Sequence, residues 1–452
     1  MSIIKKVIST LLLTTAPTIF AYHTQNSTIY SSSGEIVEIS GVSWSGFQDT
    51  NILQGLQSNP FYTYQEKPGV LNWLGGSIFK TIRLPIQPGV LYDDDNEVDI
   101  NKALTMQTNP AVGNGLFCKS WQSDGRCALA VSSKKAFWTV IEEMKKQGLR
   151  VLVDMHHSYG YGDDKRDGTV YDIAKYAQDI GSLSKVIADK NLTNVIGIDI
   201  FNEPYRLNWF KSNQGQVAWT KVIATAANAI YENNPDLLVF VEGPNGGNDD
   251  QDEPVICVPS NEIIDDQSAY SHFPDPSLCE SKDRVFFKGN WGEDFKPLLK
   301  PTAARNNQPE LDINRFKQEL LNQGISEQAL NWLLGDNNAN NAHIVFSPHV
   351  YPAEVAGWES SPGKPSQLRF DWSWGFLSKA GYSVALGEAS WKTDSGKQFF
   401  TQSLMPYLAA NVSTKNVFFW AIGYLGDTIS AINPNTGEWN RDAYETLSSY
   451  FY

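Results

Sequence analysis

Two glutamates stand where an apolar run gives way to polar sequence. Glu203, in Asn202-Glu203-Pro204, follows Val195-Ile196-Gly197-Ile198-Asp199-Ile200-Phe201, and Glu388 follows Ser383-Val384-Ala385-Leu386-Gly387. A lone strand-end acid says little, because Asp and Glu are common at such loops. Two that face each other across a cleft are the minimal apparatus for breaking a glycosidic bond, one giving a proton and one remaining ionised. The far-apart positions can meet if the strand ends converge on one face, as they do in a (β/α)₈ barrel.

Eight apolar runs supply such strands: Ile36 to Trp44, Lys80 to Ile86, Arg150 to His157, Val195 to Glu203, Leu237 to Glu242, His343 to Tyr351, Ser383 to Glu388 and Val417 to Trp420. They are continuous rather than alternating, which suits parallel strands buried on both faces. Helical patterns lie between them, notably Lys134 to Gln147, Tyr171 to Lys190, Gln216 to Asn233 and Gln398 to Ala410, with a further helical stretch from Asp312 to Leu334. Strand alternating with helix eight times predicts an α/β TIM barrel. Segments of about 87–133 and 244–342 are too long for simple connections, and insertions after strands belong on the catalytic face. No internal repeat, linker or separate binding module interrupts the chain, so 22–452 is expected to be one catalytic domain.

The chain has 452 residues, of which 41% are hydrophobic, enough for a large core. The formal charge of −14 disfavours nucleic acid or an anionic membrane as partner and is compatible with a neutral polymer. Residues 1–21 read as a signal peptide: Lys5 and Lys6 precede a short apolar stretch, and Ala21 is a candidate cleavage point. The expected location is therefore extracellular or periplasmic, without a membrane anchor after cleavage, and the expected state is a monomer. The four cysteines fall into two local pairs, Cys118/Cys127 and Cys257/Cys279, read as two disulfides after export. Six histidines without an i, i+4 pair argue against a catalytic metal, and the acidic runs Asp93 to Asp95 and 249–253 lack the ordered spacing of a calcium loop. No cofactor is expected.

Other strand-end residues fit the same chemistry. Arg83, in Thr81-Ile82-Arg83-Leu84-Pro85, can keep a neighbouring carboxylate ionised. Tyr351, in Pro348-His349-Val350-Tyr351, can donate its hydroxyl to that carboxylate, and His349 can bond Glu203 or order its surroundings. His156 and His157 are adjacent, so on a strand only one can look into the barrel mouth. Asn202 can reach a sugar 2-hydroxyl. Indole rings suit the apolar C–H faces of a pyranose; Trp420 ends the last strand, and Trp44, Trp209, Trp291, Trp358, Trp391 and Trp439 lie near strand ends or in loops. Trp391, three residues beyond Glu388, is the foremost of these outer candidates.

These motifs together, from Gly34-Glu35-Ile36-Val37 and Gly41-Val42-Ser43-Trp44-Ser45-Gly46-Phe47 through Asp154-Met155-His156-His157 to Phe418-Phe419-Trp420, resemble glycoside hydrolase family five, of the cellulase (endo-β-1,4-glucanase) type. The resemblance assigns Glu203 as acid/base and Glu388 as nucleophile of a retaining hydrolase. It favours His156 for a sugar subsite, because aspartate-any-histidine matches Asp154-Met155-His156. Ser43 departs from the family, which often has Asn there, and the long 244–342 region leaves substrate preference open. A β-glucan is the expected substrate; mannan, xyloglucan or β-1,3-glucan cleaved by the same mechanism is the near alternative, and a non-catalytic glucan-binding protein the distant one.

Overall fold

The computed structural model describes residues 22–48, 74–92, 118–121, 127–129, 133–156, 172–204, 207–212, 217–244, 257–259, 284–286, 292–300, 308–336, 339–356, 369–412, 415–422, 428–431 and 439–451. Residues 1–21, both acidic runs, His157, Trp291, Trp358 and Cys279 lie outside these residues.

All eight expected strands are present, as one parallel sheet. They are β1 (Ser40–Trp44), β2 (Thr81–Ile86), β3 (Arg150–Met155), β4 (Val195–Asp199) and β5 (Leu238–Val241). β6 runs as Ile344–Phe346 and resumes as His349–Val350; β7 runs as Ser383–Val384 and resumes as Leu386–Ala389; β8 is Val417–Ile422. Each strand pairs with the next, both halves of β6 pair with the matching halves of β7, and β8 returns to β1 with Phe418 opposite Gly41. The sheet therefore closes on itself as a (β/α)₈ barrel.

Helices α1 (Ser133–Lys146), α2 (Ile173–Asp189) and α3 (Trp219–Asn233) fall on their expected segments. The Asp312 to Leu334 stretch is two helices, α4 (Ile313–Asn322) and α5 (Glu327–Leu334). Gly324, at φ +92°, breaks it in a conformation that L side chains avoid. Ser326 Oγ then caps α5 by accepting from the Ala329 N–H. The Gln398 to Ala410 pattern lies in one continuous helix, in which α6 (Asp394–Phe399) passes through a π-helical turn (Phe400–Leu404) into α7 (Met405–Asn411). The last helix is α8 (Arg441–Phe451).

Strand periodicity separates two hydrophobic cores. The smaller contains Leu152, Ile196, Leu238, Phe240, Val345, Ala385 and Phe418, the inward residues of their strands. Their chain neighbours, such as Val151, Val153, Val239, Ile344, Val384, Val417 and Phe419, belong to the larger core between barrel and helices. Gly41 is required inside: a Cβ there would lie 2.3 Å from the Phe418 ring. An N-terminal hairpin, His23–Gln25 with Thr28–Tyr30, adds Ile29 to the inner cluster. Its turn residues Asn26 and Ser27 both have positive φ, the twist that tight hairpins favour. Two further hairpins lie within the insertions: Cys118–Trp121 with Cys127–Leu129, and Cys257–Pro259 with Arg284–Phe286. Among the described residues no helix is long and apolar enough to cross a membrane.

Candidate active site

Inward residues are apolar in the lower barrel and polar at the C-terminal mouth. Ile82, Leu84 and Ile86 face the helices, which sends Arg83 inward. The same alternation sends Asp154 and His156 inward on β3 beside the outward Val153 and Met155, and Glu242 inward after β5 beside the outward Val241. Parallel register then makes neighbours of residues far apart in sequence: Asp154 lies opposite Asp199, and His349 opposite Glu388.

Arg83 is the hub. It is fully buried, and its Nη1 donates to Glu388 Oε1 at 2.6 Å. Its Nη2 lies 3.0 Å from Asp199 Oδ2, 3.1 Å from Asp154 Oδ2 and 3.2 Å from Glu242 Oε1, and donates to Asn202 Oδ1 at 2.8 Å. A planar fork of donors suits this many acceptors where an ammonium would not. Tyr351 donates its hydroxyl to the second Glu388 oxygen, Oε2, at 2.6 Å. Both carboxylate oxygens are thus held, which orients Glu388 in the mouth of the barrel.

Glu203 lies beyond the end of β4 and is part-exposed, whereas Glu388 is 4% exposed. Its φ is +40°, unusual for a residue with a side chain. The Glu203 N–H donates to Glu242 Oε2 at 2.7 Å, which holds that conformation. His349 stands between the acids: Nδ1 is 3.1 Å from Glu203 Oε1 and 3.6 Å from Glu388 Oε2. Oxygens of Glu203 and Glu388 come within 4.8 Å of each other. His156 Nδ1 is 2.7 Å from Asp154 Oδ2, and its ring lies parallel to Trp420, with centroids 5.5 Å apart and an interplanar angle of 4°.

Five carboxyl groups and three basic side chains, Arg83, His156 and His349, share this space, so burial and charge compete. Burial raises Asp154 to about 7 and Asp199 to about 6, against the pull of Arg83. Burial likewise pushes Glu242 well above the usual carboxylate range. Burial alone would discharge His349, but Glu242, Glu388 and Glu203 raise it well above an ordinary histidine. Arg83 stays charged because four carboxylates outweigh its desolvation. Asp199, Glu242 and His349 bring ligand atoms within 4.8 Å of one another, as a metal site would. The Arg83 guanidinium already supplies the positive charge against two of them.

These shifts predict a pH dependence of stability. Between about pH 4 and 7 the folded state keeps protons on Asp154 and Asp199 that the unfolded chain releases near 3.8, so stability falls as pH rises. His349, raised in the folded state, adds stability that is likewise lost as pH rises through its folded value. The thermal midpoint should therefore fall from pH 5 to pH 8, and Asp154→Asn should make that fall shallower. A midpoint rising over this range would contradict the charge arrangement.

The structure brings together Arg83, His156, Asn202, Glu203, His349, Tyr351, Glu388 and Trp420. Two tryptophans require correction. Trp44 is fully buried and shares the outward face of β1 with Val42, because Ser43 takes the inward position. Trp391 is 1% exposed and packs against Phe400 and Phe419 in the outer core. Neither offers a ring face at the surface of a cleft. Trp209 is also buried, with its indole N–H donating to the Asp294 carbonyl, and Trp439 packs on Phe79 and Tyr444. Asp199 and Glu242 were not anticipated from sequence as site residues. The available signal was an acid within or at the end of a barrel strand, the feature that identified Glu203 and Glu388.

The family model for cellulase (glycosyl hydrolase family 5) matches residues 76–426, most of the chain and every strand of the barrel except β1. The chain belongs to glycosyl hydrolase family 5. It is a glycosidase of that family. An endoglucanase from Paenibacillus polymyxa is 23% identical, over 94% of this chain and 86% of that protein. The major extracellular endoglucanase of Xanthomonas campestris is 26% identical over 52% of this chain and 44% of its own length. Its catalytic domain superposes with a TM-score of 0.64 at 18% identity, covering 95% of this chain and 99% of the domain. An endocellulase from Pyrococcus horikoshii, in complex with cellotetraose, superposes with a TM-score of 0.64 at 18% identity, over 96% of this chain and all of the other. At that identity the superpositions show the family 5 barrel alone.

Proposed function

We propose that this family 5 glycosidase cleaves internal β-1,4-glucosidic bonds by double displacement with retention. The observation that carries the mechanism is the approach of Glu203 and Glu388 oxygens to within 4.8 Å. Retaining glycosidases hold their carboxyls ~5–5.5 Å apart, whereas inverting ones need ~6.5–9.5 Å to admit a water. Glu388, gripped by Arg83 and Tyr351, is the nucleophile. Glu203, more exposed, protonates the departing sugar oxygen and then draws a proton from the incoming water. Asn202 Oδ1 is occupied by Arg83, leaving its amide NH₂ to donate to the sugar 2-hydroxyl. Trp420, braced by His156, is the sugar platform at the cleavage point.

The endoglucanase and cellotetraose-bound relatives favour a β-1,4-glucan over mannan or β-1,3-glucan. Soluble cellulose, mannan and laminarin assayed side by side should give reducing ends fastest from cellulose, with viscosity falling early, as random internal cleavage requires. Faster release from mannan would move the substrate while leaving the mechanism intact.

The chain is further proposed to act outside the cytoplasm, as a single catalytic domain with the 87–133 and 244–342 insertions. An extracellular Xanthomonas relative and the 1–21 signal segment support export. Export would allow Cys118–Cys127 and Cys257–Cys279 disulfides. Non-reducing peptide maps should show these two pairs, and a cross-pair or free thiols in exported protein would contradict them.

A further inference from the structure

Glu242 belongs to the site yet takes no part in double displacement as set out above. It is fully buried just beyond β5. Its Oε2 accepts the backbone N–H of Glu203 at 2.7 Å. Its Oε1 lies 2.9 Å from His349 Nε2, an ion-pair contact with the ring. The other nitrogen of the same ring faces Glu203 Oε1 at 3.1 Å. Glu242 thus reaches Glu203 from two directions, directly at its backbone and through the imidazole at its carboxyl.

The surroundings fix Glu242 in turn. Arg83 Nη2 is 3.2 Å from Oε1, and the Trp219 indole N–H donates to the Glu242 carbonyl at 2.9 Å. Gly292, at φ +72°, closes over the pair: a Cβ there would lie 2.7 Å from His349 Cγ and 2.9 Å from Glu242 Oε2. A glycine is needed at this point for both its conformation and its lack of a side chain. A chain built so tightly around one non-reacting carboxyl has a use for its position.

We propose that Glu242 is the positioning residue for the general acid, holding Glu203 in its left-handed backbone conformation and orienting His349 against its carboxyl. The proposal rests on reading Glu203 as the acid/base. A displaced acid meets the glycosidic oxygen at the wrong distance or angle, and proton donation is sensitive to that geometry. The defect should therefore grow as the leaving group becomes poorer.

The test measures kcat/KM, which reports only steps through glycosylation, on cellotetraose and on 2,4-dinitrophenyl β-cellobioside. Glu242→Ala should lower the value on cellotetraose by about 10²-fold, the lower end of what an acid contributes. On the aryl glycoside, whose leaving group departs without a proton, the loss should stay within about fivefold. Glu242→Gln keeps an acceptor for the Glu203 N–H and nearly the same shape, so it should fold with an unchanged barrel and recover part of the loss while keeping the selectivity. If Glu242→Ala fails to fold, Glu242→Gln alone decides. Equal losses on both substrates in Glu242→Gln, or no loss on either, would overturn the proposal. Glu203→Ala measured alongside separates the two readings: if it shows no leaving-group selectivity, the assignment of Glu203 is at fault rather than that of Glu242.

Discussion

Glu388→Gln is expected to abolish turnover and leave the fold in place. Without an ionised carboxylate no glycosyl-enzyme forms, so both chemical steps fail together. The loss should exceed the roughly 10²–10⁴-fold that acid assistance supplies. The fold should survive because the amide oxygen can still accept from Arg83 Nη1, and Arg83 keeps its contacts with Asp154, Asp199 and Glu242. Removing one carboxylate from a cluster of five carboxyls and three basic side chains does not strand a cation. Activity and thermal midpoint measured on one preparation check this. A folded variant retaining more than a few per cent of activity would show that Glu388 is not the nucleophile.

Glu203→Ala should fail differently. An aryl β-cellobioside needs no proton to lose its leaving group, so glycosylation should remain fast. The second step lacks its base, and the glycosyl-enzyme should accumulate. A burst of aryl alcohol followed by slow turnover is the expected trace. Azide needs no base, so adding it should restore turnover and give the β-glycosyl azide, two inversions returning the original configuration. An α-glycosyl azide would instead indicate a single inversion. Absence of both burst and rescue would remove Glu203 from the acid/base role.

The barrel was readable because its strands are unbroken apolar runs, and the alternation within them already separates mouth from wall. Arg83 between Ile82 and Leu84, and Asp154 between Val153 and Met155, are polar residues on an otherwise apolar pattern, which only a polar interior end can accommodate. The same rule, applied to Ser43 and Trp44, would have sent Trp44 outward. Glu242 ends its run as Glu388 does, and Asp199 interrupts one, but neither belongs to a motif as conspicuous as Asn202-Glu203-Pro204. Trp391 lies past a strand end, where periodicity stops, so nothing local distinguishes a cleft platform from a residue turned back onto Phe419. The approach of the two acids depends on register between strands far apart in the chain, and His349 opposite Glu388 is a product of barrel closure. The division of the Asp312 to Leu334 segment, by contrast, was signalled by Gly324 followed by Ser326, a stop and a cap in succession.

The most direct measurement is to trap the covalent intermediate. A 2-deoxy-2-fluoro-β-cellobioside with an activated leaving group slows both steps, by weakening positive charge at the anomeric carbon and removing the 2-hydroxyl contact, and the good leaving group lets the first step outrun the second. Digestion and mass spectrometry of the inactivated enzyme should then find one fluorocellobiosyl group esterified to Glu388. The label on any other residue, or inactivation without a covalent label, would contradict double displacement through Glu388.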